Sequence, residues 1–264
     1  MGILNIAHRG YSGKFPENTM LAFKKAIEYG ADGIETDVQM SKDGELVIIH
    51  DETLDRTTNA SGFVKDYTLK ELKKFRSKSV AQINGSKEDE ESKIKDLKEE
   101  VLEKDEEIPT LRELLNLFAN SNLKVLNLEL KNSIIEYNGL EEGVLNMIDE
   151  FKLRDRVIIS SFNHKSLVKI REIEKLKKKK MIVLGALVYG ILVKPSKYLK
   201  ELEIDCYHPY FTGILDKDYM EEIKSARIRV NTYTVNSAEY MKKVIEVGAD
   251  SIITNEIEIL NNIR

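Results

Sequence analysis

The segment "DGIETDVQMSKDGELVIIH", residues 32–50, decides between the folds open to this chain. It holds two strand-like runs, 32–38 and 45–50, which are separated by only a few residues around Asp43-Gly44. A parallel crossover needs a dozen or more residues, whereas Asp-Gly is a strong hairpin signal. We therefore predict that the second run folds back antiparallel to the first and forms a β-hairpin arm.

Further short apolar runs alternate with helical patterns along the rest of the chain. These runs lie at 3–7, 123–130, 156–162, 180–188, 203–208, 228–235 and 250–254. Alternating strands and helices are typical of parallel β-α-β units. Without the arm, eight parallel strands remain, which is the number in a TIM-type (β/α)8 barrel of the α/β class. An open doubly wound sheet is the alternative, but no glycine-rich phosphate fingerprint follows any strand.

Size, charge and cysteine content exclude several classes of protein. The 264 residues fit one barrel, and we expect a single domain, 1–264, with an insertion at about 51–107. The net charge of −4 argues against nucleic-acid binding. The longest uncharged run, 181–193, is shorter than the ~20 residues that span a bilayer. The single cysteine and the absence of a signal-peptide pattern predict a cytoplasmic protein.

The insertion after the arm is the least regular part of the sequence. Its densely charged part, 86–107, fits either a helix with Lys–Glu pairs or a solvated loop. Its origin at the top of the arm suggests a lid over the barrel mouth, and its role is left open. We expect regular helix to resume at "TLRELLNLF", residues 110–118.

Polar residues collect at the carboxyl ends of the predicted strands, where barrel enzymes place their active sites. The candidates are His8, Arg9, Glu35, Asp37, His50, Glu129, Lys131 and Tyr233. Glu35 and Asp37 are two residues apart and share one face of a strand. A four-residue or a two-residue hairpin loop would place His50 on that same face, whereas an odd loop would turn it away.

The carboxylates of this set predict a metal site. Glu35, Asp37 and Glu129 lie in otherwise apolar strands, where an unpaired buried charge costs several kcal/mol. Oxygen ligands of this kind suit one hard divalent cation, Mg²⁺ or Ca²⁺, and Mn²⁺ accepts them also.

The basic residues and histidines extend the prediction to phosphoester chemistry. Arg9 and Lys131 can neutralise phosphoryl oxygens as charge develops. His8 and His50 can serve as general acid and general base. Tyr233 can offer a flat face to a small polyol.

Residues 7–62, with the segments "HRG", "ETDV" and "HD", strongly resemble the glycerophosphodiester phosphodiesterases. The later segments "IPTLRELL", "LNLELK", "RVIISSFN" and "NTYTVN" match the pattern of that family in the same order. The resemblance covers nearly the whole chain, apart from roughly 76–107.

The resemblance implies a TIM-type barrel that hydrolyses a glycerophosphodiester to sn-glycerol 3-phosphate and an alcohol, in glycerol and lipid metabolism. It implies His8 and His50 as the acid–base pair, a cyclic phosphate intermediate and the contacts of Arg9 and Lys131 with phosphate. The metal ligands that it implies are Glu35, Asp37 and Glu129.

Three features depart from the family pattern. Tyr233 stands where the family commonly has Trp, and residues 255–257 stand where it commonly has Asp and a nearby Pro. The charged extension of the insertion is longer than usual. We interpret Asn255 as a helix cap. We expect Asn18 to cap the first helix, and a contact with substrate or a metal-bound water at the rim is the lesser alternative.

Other functions compete with this one. A lysophospholipase D-type activity on lysophospholipids is one alternative, because the apolar loop "VYGILV" (188–193) could hold an acyl chain. A non-catalytic phosphodiester-binding barrel is another. The expected partner is a small-molecule glycerophosphodiester, without nucleic acid or stable membrane insertion. The headgroup, the metal, the acid and base assignment and the oligomeric state stay open.

Overall fold

The chain forms a closed barrel of parallel strands. The structure is a computed structural model that describes residues 2–78, 80, 83 and 106–264. Its strands are β1 (Leu4–His8), β2 (Gly33–Met40), β3 (Leu46–Ile48), β4 (Val125–Leu130), β5 (Val157–Ser161), β6 (Val183–Val188), β7 (Cys206–Pro209), β8 (Arg229–Thr232) and β9 (Ser251–Thr254).

Strand pairing confirms the predicted barrel and arm. The parallel strands follow the order β1-β9-β8-β7-β6-β5-β4-β2, and a parallel pairing of β1 with β2 closes the ring. β3 lies antiparallel to β2, outside the ring. Each of the nine predicted runs therefore contains a strand, and the open doubly wound sheet is wrong because the sheet has no free parallel edge.

Helices surround the barrel. They are α1 (Met20–Glu28), α2 (Leu69–Leu72), α3 (Leu111–Ala119), α4 (Leu140–Glu150), α5 (His164–Lys177), α6 (Pro195–Glu201), α7 (Lys217–Ser225), α8 (Ala238–Glu246) and α9 (Ile257–Asn261). No helix in the described ranges is long and apolar enough to cross a membrane.

The start of α3 shows why helix resumes after the insertion. The Thr110 hydroxyl accepts a hydrogen bond from the Glu113 backbone N–H at 3.2 Å, and the Glu113 carboxylate accepts one from the Thr110 N–H at 2.7 Å. This capping box satisfies backbone donors that a helix start leaves unpaired. Leu111, Leu114 and Phe118 then bury one face of α3 in the core.

Glycine at two positions allows close approaches that shape the barrel. Gly10 has φ +77°, and a Cβ there would lie 2.7 Å from the Ala22 carbonyl carbon, so the loop after β1 can rest directly on α1. A Cβ at Gly185 would lie 2.5 Å from the His208 ring. The missing side chain of Gly185 therefore makes room for His208 inside the barrel.

The barrel interior below the mouth is partly polar. His208 is fully buried, and its Nε2 lies 2.8 Å from the Asn231 amide nitrogen. Asn231 in turn accepts a hydrogen bond from Ser251 at 2.8 Å. Burial, with a smaller contribution from the charge of Arg229, lowers the pKa of His208 to about 3, so this ring is neutral at pH 7.

The described part of the insertion packs against the arm around a small apolar cluster that both contribute to. Its buried members are Val47, Ile49, Leu54, Val64, Leu72 and Ile108. Arg76 and Glu107 form an antiparallel bridge, and the Ser77 N–H donates to the Glu106 carbonyl at 2.8 Å. The predictions of a helix or loop over 86–107 and of a lid fall mostly outside the described residues. The single-domain organisation with an insertion at about 51–107 stays a prediction.

Candidate active site

Three buried carboxylates form the centre of the barrel mouth. Glu35 and Asp37 lie on β2, and Glu129 lies on β4, where parallel pairing places it beside Asp37. One oxygen from each of the three residues lies within 4.8 Å of the other two. The two-residue spacing on β2 therefore places both carboxylates on the same face as Glu129, as the sequence predicted.

His8 and Arg9 end β1 at this same rim. The His8 Nδ1 lies 2.6 Å from the Asn255 side-chain oxygen, and its Nε2 lies 3.9 Å from a Glu35 carboxylate oxygen. Arg9 has φ +55°, a strained conformation for a side chain of its size, and its N–H bonds the Glu35 backbone and carboxylate oxygens at 2.8 and 3.1 Å. Its Nε lies 3.3 Å from Asp37 Oδ2.

Lys131 and Tyr233 complete the set around the carboxylates. The Lys131 ammonium donates to Glu129 at 2.9 Å and lies 3.9 Å from Asp37 Oδ1. The buried Tyr233 hydroxyl has no hydrogen-bond partner among the described residues, and burial followed by the charge of Glu129 raises its pKa. Both predicted contact residues therefore lie beside the acidic cluster.

The predicted hairpin register of His50 is wrong. Val38 pairs with Ile48 and Met40 with Leu46, so five residues, 41–45, separate the paired strands. An odd loop would place His50 opposite Thr36, on the face away from the carboxylates. The strand ends at Ile48 instead, and His50 lies in a bend beyond it.

A buried glutamine holds this bend. The Gln39 amide nitrogen lies 3.0, 3.0 and 2.7 Å from the backbone carbonyl oxygens of residues 49, 50 and 51. The Gln39 oxygen accepts a hydrogen bond from the Tyr137 hydroxyl at 2.7 Å. Because the chain leaves the ladder here, the charge of His50 still acts on Asp37, where it is the strongest of the effects that lower the pKa, and it acts weakly in the same direction on Glu129.

Burial and charge set the protonation of the cluster. Burial, reinforced by the charges of Asp37 and Glu129, raises the pKa of Glu35 well above its usual value, and burial also raises that of Glu129. Burial acts in the same direction on Asp37, but its attraction to His50, Arg9 and Lys131 outweighs burial, so its pKa lies below the usual range. Burial and the charge of Arg9 lower the pKa of His8 to about 3.

These observations fit a divalent cation. Like charges held this close repel one another, and an ion between them would remove the repulsion. Asp37 Oδ1 is buried without a hydrogen-bond partner among the described residues, so it is available as a ligand. The donors are oxygens only, which suits Mg²⁺, Ca²⁺ or Mn²⁺.

Two asparagines belong to the site, although the sequence predicted them as helix caps. Thr19 caps α1, because its hydroxyl accepts from the Ala22 N–H at 3.1 Å. Asn18 instead has φ +57° and donates its amide to Asp37 Oδ2 at 2.8 Å. Asn255 bonds the His8 ring rather than starting α9. In the sequence, an asparagine that hydrogen-bonds a buried carboxylate or imidazole cannot be distinguished from a helix cap, because both stand just before a helix.

Glu17 and Arg56 also belong to the site and were not predicted. Glu17 accepts hydrogen bonds from Arg9 and Arg56, and Arg56 also bonds Asp51, which holds His50. Their only sequence signal is their place in the conspicuous segments "PENT" and "DRTT" of the family resemblance.

A cavity of about 200 Å³ opens beside His8. Its wall includes Arg9, Glu17 and Asn255, together with Val80 and Ile83 from the insertion. The described part of the insertion therefore reaches the barrel mouth and adds apolar surface to it.

Comparison with known proteins identifies relatives over nearly the whole chain. The model of the glycerophosphoryl diester phosphodiesterase family matches residues 8–259. A glycerophosphodiester phosphodiesterase of Caldanaerobacter subterraneus subsp. tengcongensis is 41% identical over 100% of this chain and 98% of its own length. One from Bacillus altitudinis is 39% identical over 94% of this chain and 93% of its own length.

A solved structure extends the comparison to a bound molecule. It is an Oleispira antarctica phosphodiesterase in complex with the product sn-glycerol-3-phosphate. That protein is 28% identical, with a TM-score of 0.78, and the match covers 97% of this chain and 94% of that one.

Proposed function

The chain belongs to the glycerophosphoryl diester phosphodiesterase family and is an enzyme of that class, and from this membership we propose its reaction in detail. It hydrolyses glycerophosphodiesters to sn-glycerol 3-phosphate and an alcohol, depends on a divalent cation, and uses His8 and His50 as its acid–base pair. Membership of an enzyme family sets aside the alternative of a non-catalytic barrel. A cytoplasmic location and a place in glycerol and lipid metabolism belong to the same proposal.

One observation carries the proposal: His8 borders the acidic cluster, the charge of His50 acts on it, and both rings are already hydrogen-bonded through Nδ1. His8 Nδ1 is bonded to Asn255 and His50 Nδ1 to Asp51, each at 2.6 Å. A ring held through Nδ1 has a defined orientation and presents Nε2 for proton transfer.

The two partners give the histidines different roles. The Asn255 oxygen accepts the Nδ1 proton of His8, so Nε2 of this neutral ring carries a lone pair and takes the proton of the attacking hydroxyl. The Asp51 carboxylate accepts a hydrogen bond from His50 Nδ1 and orients the ring, as an acidic residue does behind a catalytic imidazole. With His8 as the base, His50 is the acid: the glycerol hydroxyl oxygen forms a bond to phosphorus, and His50 gives a proton to the leaving alkoxide as the bond between phosphorus and the alcohol oxygen breaks. Water then opens the resulting cyclic phosphate to sn-glycerol 3-phosphate.

The remaining residues bind charge. Arg9 and Lys131 contact the phosphoryl oxygens, and the Tyr233 ring packs against the glycerol. Glu35, Asp37 and Glu129 would hold the cation, which supplies Lewis-acid stabilisation of phosphoryl charge when bound.

A substrate-by-metal matrix tests this function. Chelator-treated protein is incubated with glycerophosphocholine or glycerophosphoethanolamine and with Mg²⁺, Ca²⁺, Mn²⁺ or no metal. We expect sn-glycerol 3-phosphate and the free alcohol, and only with added metal. Release of phosphocholine and free glycerol would mean that the bond between phosphorus and the glycerol oxygen is cleaved, which contradicts the proposed products. The absence of product with every combination of substrate and metal would refute the function.

Activity on lysophospholipids is a second candidate, and an apolar row at the mouth favours it. The Tyr233 and Tyr210 ring centroids lie 6.1 Å apart, and those of Tyr210 and Tyr189 lie 5.1 Å apart. Tyr189 is 74% exposed, and Ile191 and Val193 in the same loop are 68% and 87% exposed. An acyl chain attached to the glycerol could lie along this row.

Choline release from lysophosphatidylcholine tests this candidate. The double variant Ile191→Ser/Val193→Ser should lose activity on the lysolipid and keep activity on glycerophosphocholine. Leu176→Ser is the matched control, because Leu176 is 84% exposed at the far end of α5. Two results would refute this candidate. One is no choline release by the parent protein, and the other is an equal loss of lysolipid activity in the double variant and in Leu176→Ser.

A further inference from the structure

A continuous series of charged hydrogen bonds joins the two sides of the site. The His50 ring bonds Asp51 at 2.6 Å, and Asp51 accepts from the Arg56 Nε at 2.6 Å and from a terminal Arg56 nitrogen at 2.9 Å. The two terminal nitrogens of Arg56 also donate to both oxygens of Glu17, each at 2.8 Å. Glu17 finally accepts from Arg9 at 2.9 Å.

Only an arginine can occupy the centre of this series. Arg56 uses four of its five N–H groups, in two forked pairs that face two different carboxylates. A lysine has one nitrogen and cannot match either fork. The Glu17 side chain is only 12% exposed, yet its pKa lies below the usual range, because Arg56 and Arg9 outweigh the effect of burial.

We propose that Arg56 is a positioning residue that sets the His50 imidazole relative to the Arg9 guanidinium. The proposal rests on the proposed function, in which His50 moves a proton and Arg9 contacts phosphate. Arg56 lies in the insertion, Glu17 follows β1, and His50 leaves the arm, so Arg56 joins segments that strand pairing does not hold together. Without it, Asp51 loses its forked partner, and Glu17 keeps its hydrogen bond with Arg9.

The expected loss concerns turnover more than binding. Proton transfer depends on distances of a few tenths of an ångström, and a displacement of 1 Å can cost roughly 10²-fold in rate. Arg9 keeps its backbone bonds to Glu35 and its contact with Asp37 in the absence of Arg56, so phosphate binding should change less.

Steady-state kinetics on glycerophosphocholine test the proposal with Arg56→Gln, Arg56→Lys and Arg112→Gln. Arg112 is a matched control, because it forms a forked pair with Glu150 on the outside of the barrel, with one of its two bonds at 2.8 Å. We expect kcat of both Arg56 variants to fall by about 10- to 100-fold with KM changed by less than about threefold. Arg112→Gln should behave like the parent.

Proton NMR of the ring N–H groups gives a readout that does not require activity. Two downfield Nδ1–H signals are expected, and their loss in His8→Ala and His50→Ala assigns them. Arg56→Gln should move or broaden the His50 signal and leave the His8 signal in place. If Arg56→Gln fails to fold by circular dichroism, Arg56→Lys provides the same comparison.

Three results would overturn the proposal: kcat of Arg56→Gln within twofold of the parent, a loss equal to that of Arg112→Gln, or an unmoved His50 signal. Inactivity of the parent on every glycerophosphodiester would instead refute the proposed function. The NMR comparison would then still decide whether Arg56 positions the His50 ring.

Discussion

His8 and His50 are both bonded through Nδ1 at 2.6 Å, but the fold builds their surroundings in different ways. His8 ends a barrel strand, and its partner Asn255 follows the neighbouring strand β9. His50 lies beyond the end of the arm, and its partner Asp51 depends on Arg56, a residue of the insertion. One side of the site is therefore held by the barrel, and the other is held by side chains.

The two sides of the site therefore differ in how rigidly the fold holds them. Strand pairing fixes His8 against Glu35, whose backbone also pairs with β4. The position of His50 depends instead on the Gln39 amide and on the Arg56 guanidinium. Changes in the insertion can therefore move the His50 side while the acidic cluster of Glu35, Asp37 and Glu129 stays in place.

The largest expected effect comes from removing either imidazole. His8→Ala and His50→Ala should each lower turnover by roughly 10²–10⁴-fold, because each ring supplies one proton transfer in the proposed mechanism. Release of sn-glycerol 3-phosphate measures the loss, and circular dichroism checks the fold. His164→Ala is the control, since that ring bonds Tyr198 and the Leu187 carbonyl instead of the acidic cluster. Turnover near that of the parent in either variant would remove that histidine from the mechanism.

Glu35→Gln tests the side of the site that the barrel strands hold. The raised pKa of Glu35 means that its ionised form opposes folding, so the contribution of Glu35 to the stability of the metal-free protein falls as pH rises above 4.5. We expect the variant to melt higher than the parent in chelator at pH 7, yet to lose activity and most of the metal-dependent rise in melting temperature. Glu239→Gln, on the surface, is the control. An unchanged metal response would exclude Glu35 as a ligand.

The pH dependence of stability tests the effect of burial on a histidine outside the proton-transfer pair. A pKa of about 3 for His208, against 6.5 when unfolded, means that the unfolded chain binds more protons between these values. This contribution to stability is complete above pH 6.5 and is lost as pH falls towards 3. Between pH 7.5 and 4.5 it amounts to roughly 2–3 kcal/mol.

Urea unfolding of the parent and of His208→Gln at these two pH values measures that contribution. The variant should lose less unfolding free energy on acidification than the parent does. An identical loss in both proteins would mean that His208 does not titrate with the shift that its burial implies.

The smallest effect is expected from making the two sides alike. Asn255→Asp gives His8 a carboxylate partner, as His50 has, and an adjacent negative charge raises the pKa of an imidazole. The acidic limb of the pH profile of kcat/KM should move up by about one pH unit, with little change on the plateau. If the acidic limb of the profile does not move, the residue at position 255 orients the His8 ring but its charge does not affect the pKa of that ring.

The barrel and the strand-borne half of the site could be predicted from the sequence. Alternating runs and the short link at Asp43-Gly44 indicated eight strands and an arm, and the two-residue period placed Glu35 with Asp37. The arm register could not be predicted, because Ser41 closes a five-residue turn through its hydroxyl, which accepts from the Glu45 N–H at 3.0 Å. Hydrophobic patterning carries no information on such a bond.

The side chains that support the site could not be predicted from the sequence for a related reason. Asn18 and Asn255 precede helices, where an amide normally caps, and only the folded chain shows that they face Asp37 and His8. Gln39 and Arg56 act on His50 indirectly, through the backbone of residues 49–51 and through Asp51. A residue that acts by positioning a second residue alters neither the helical nor the strand periodicity of the sequence, so these patterns do not reveal it.

The contact between Arg76 and Glu107 has a consequence for how this enzyme can change. The chain departs from the arm and returns to it at two points that are hydrogen-bonded to each other. Because the two described flanks of the insertion are bonded to each other here, the hydrolytic barrel can be inherited unchanged while the sequence that joins these flanks is exchanged.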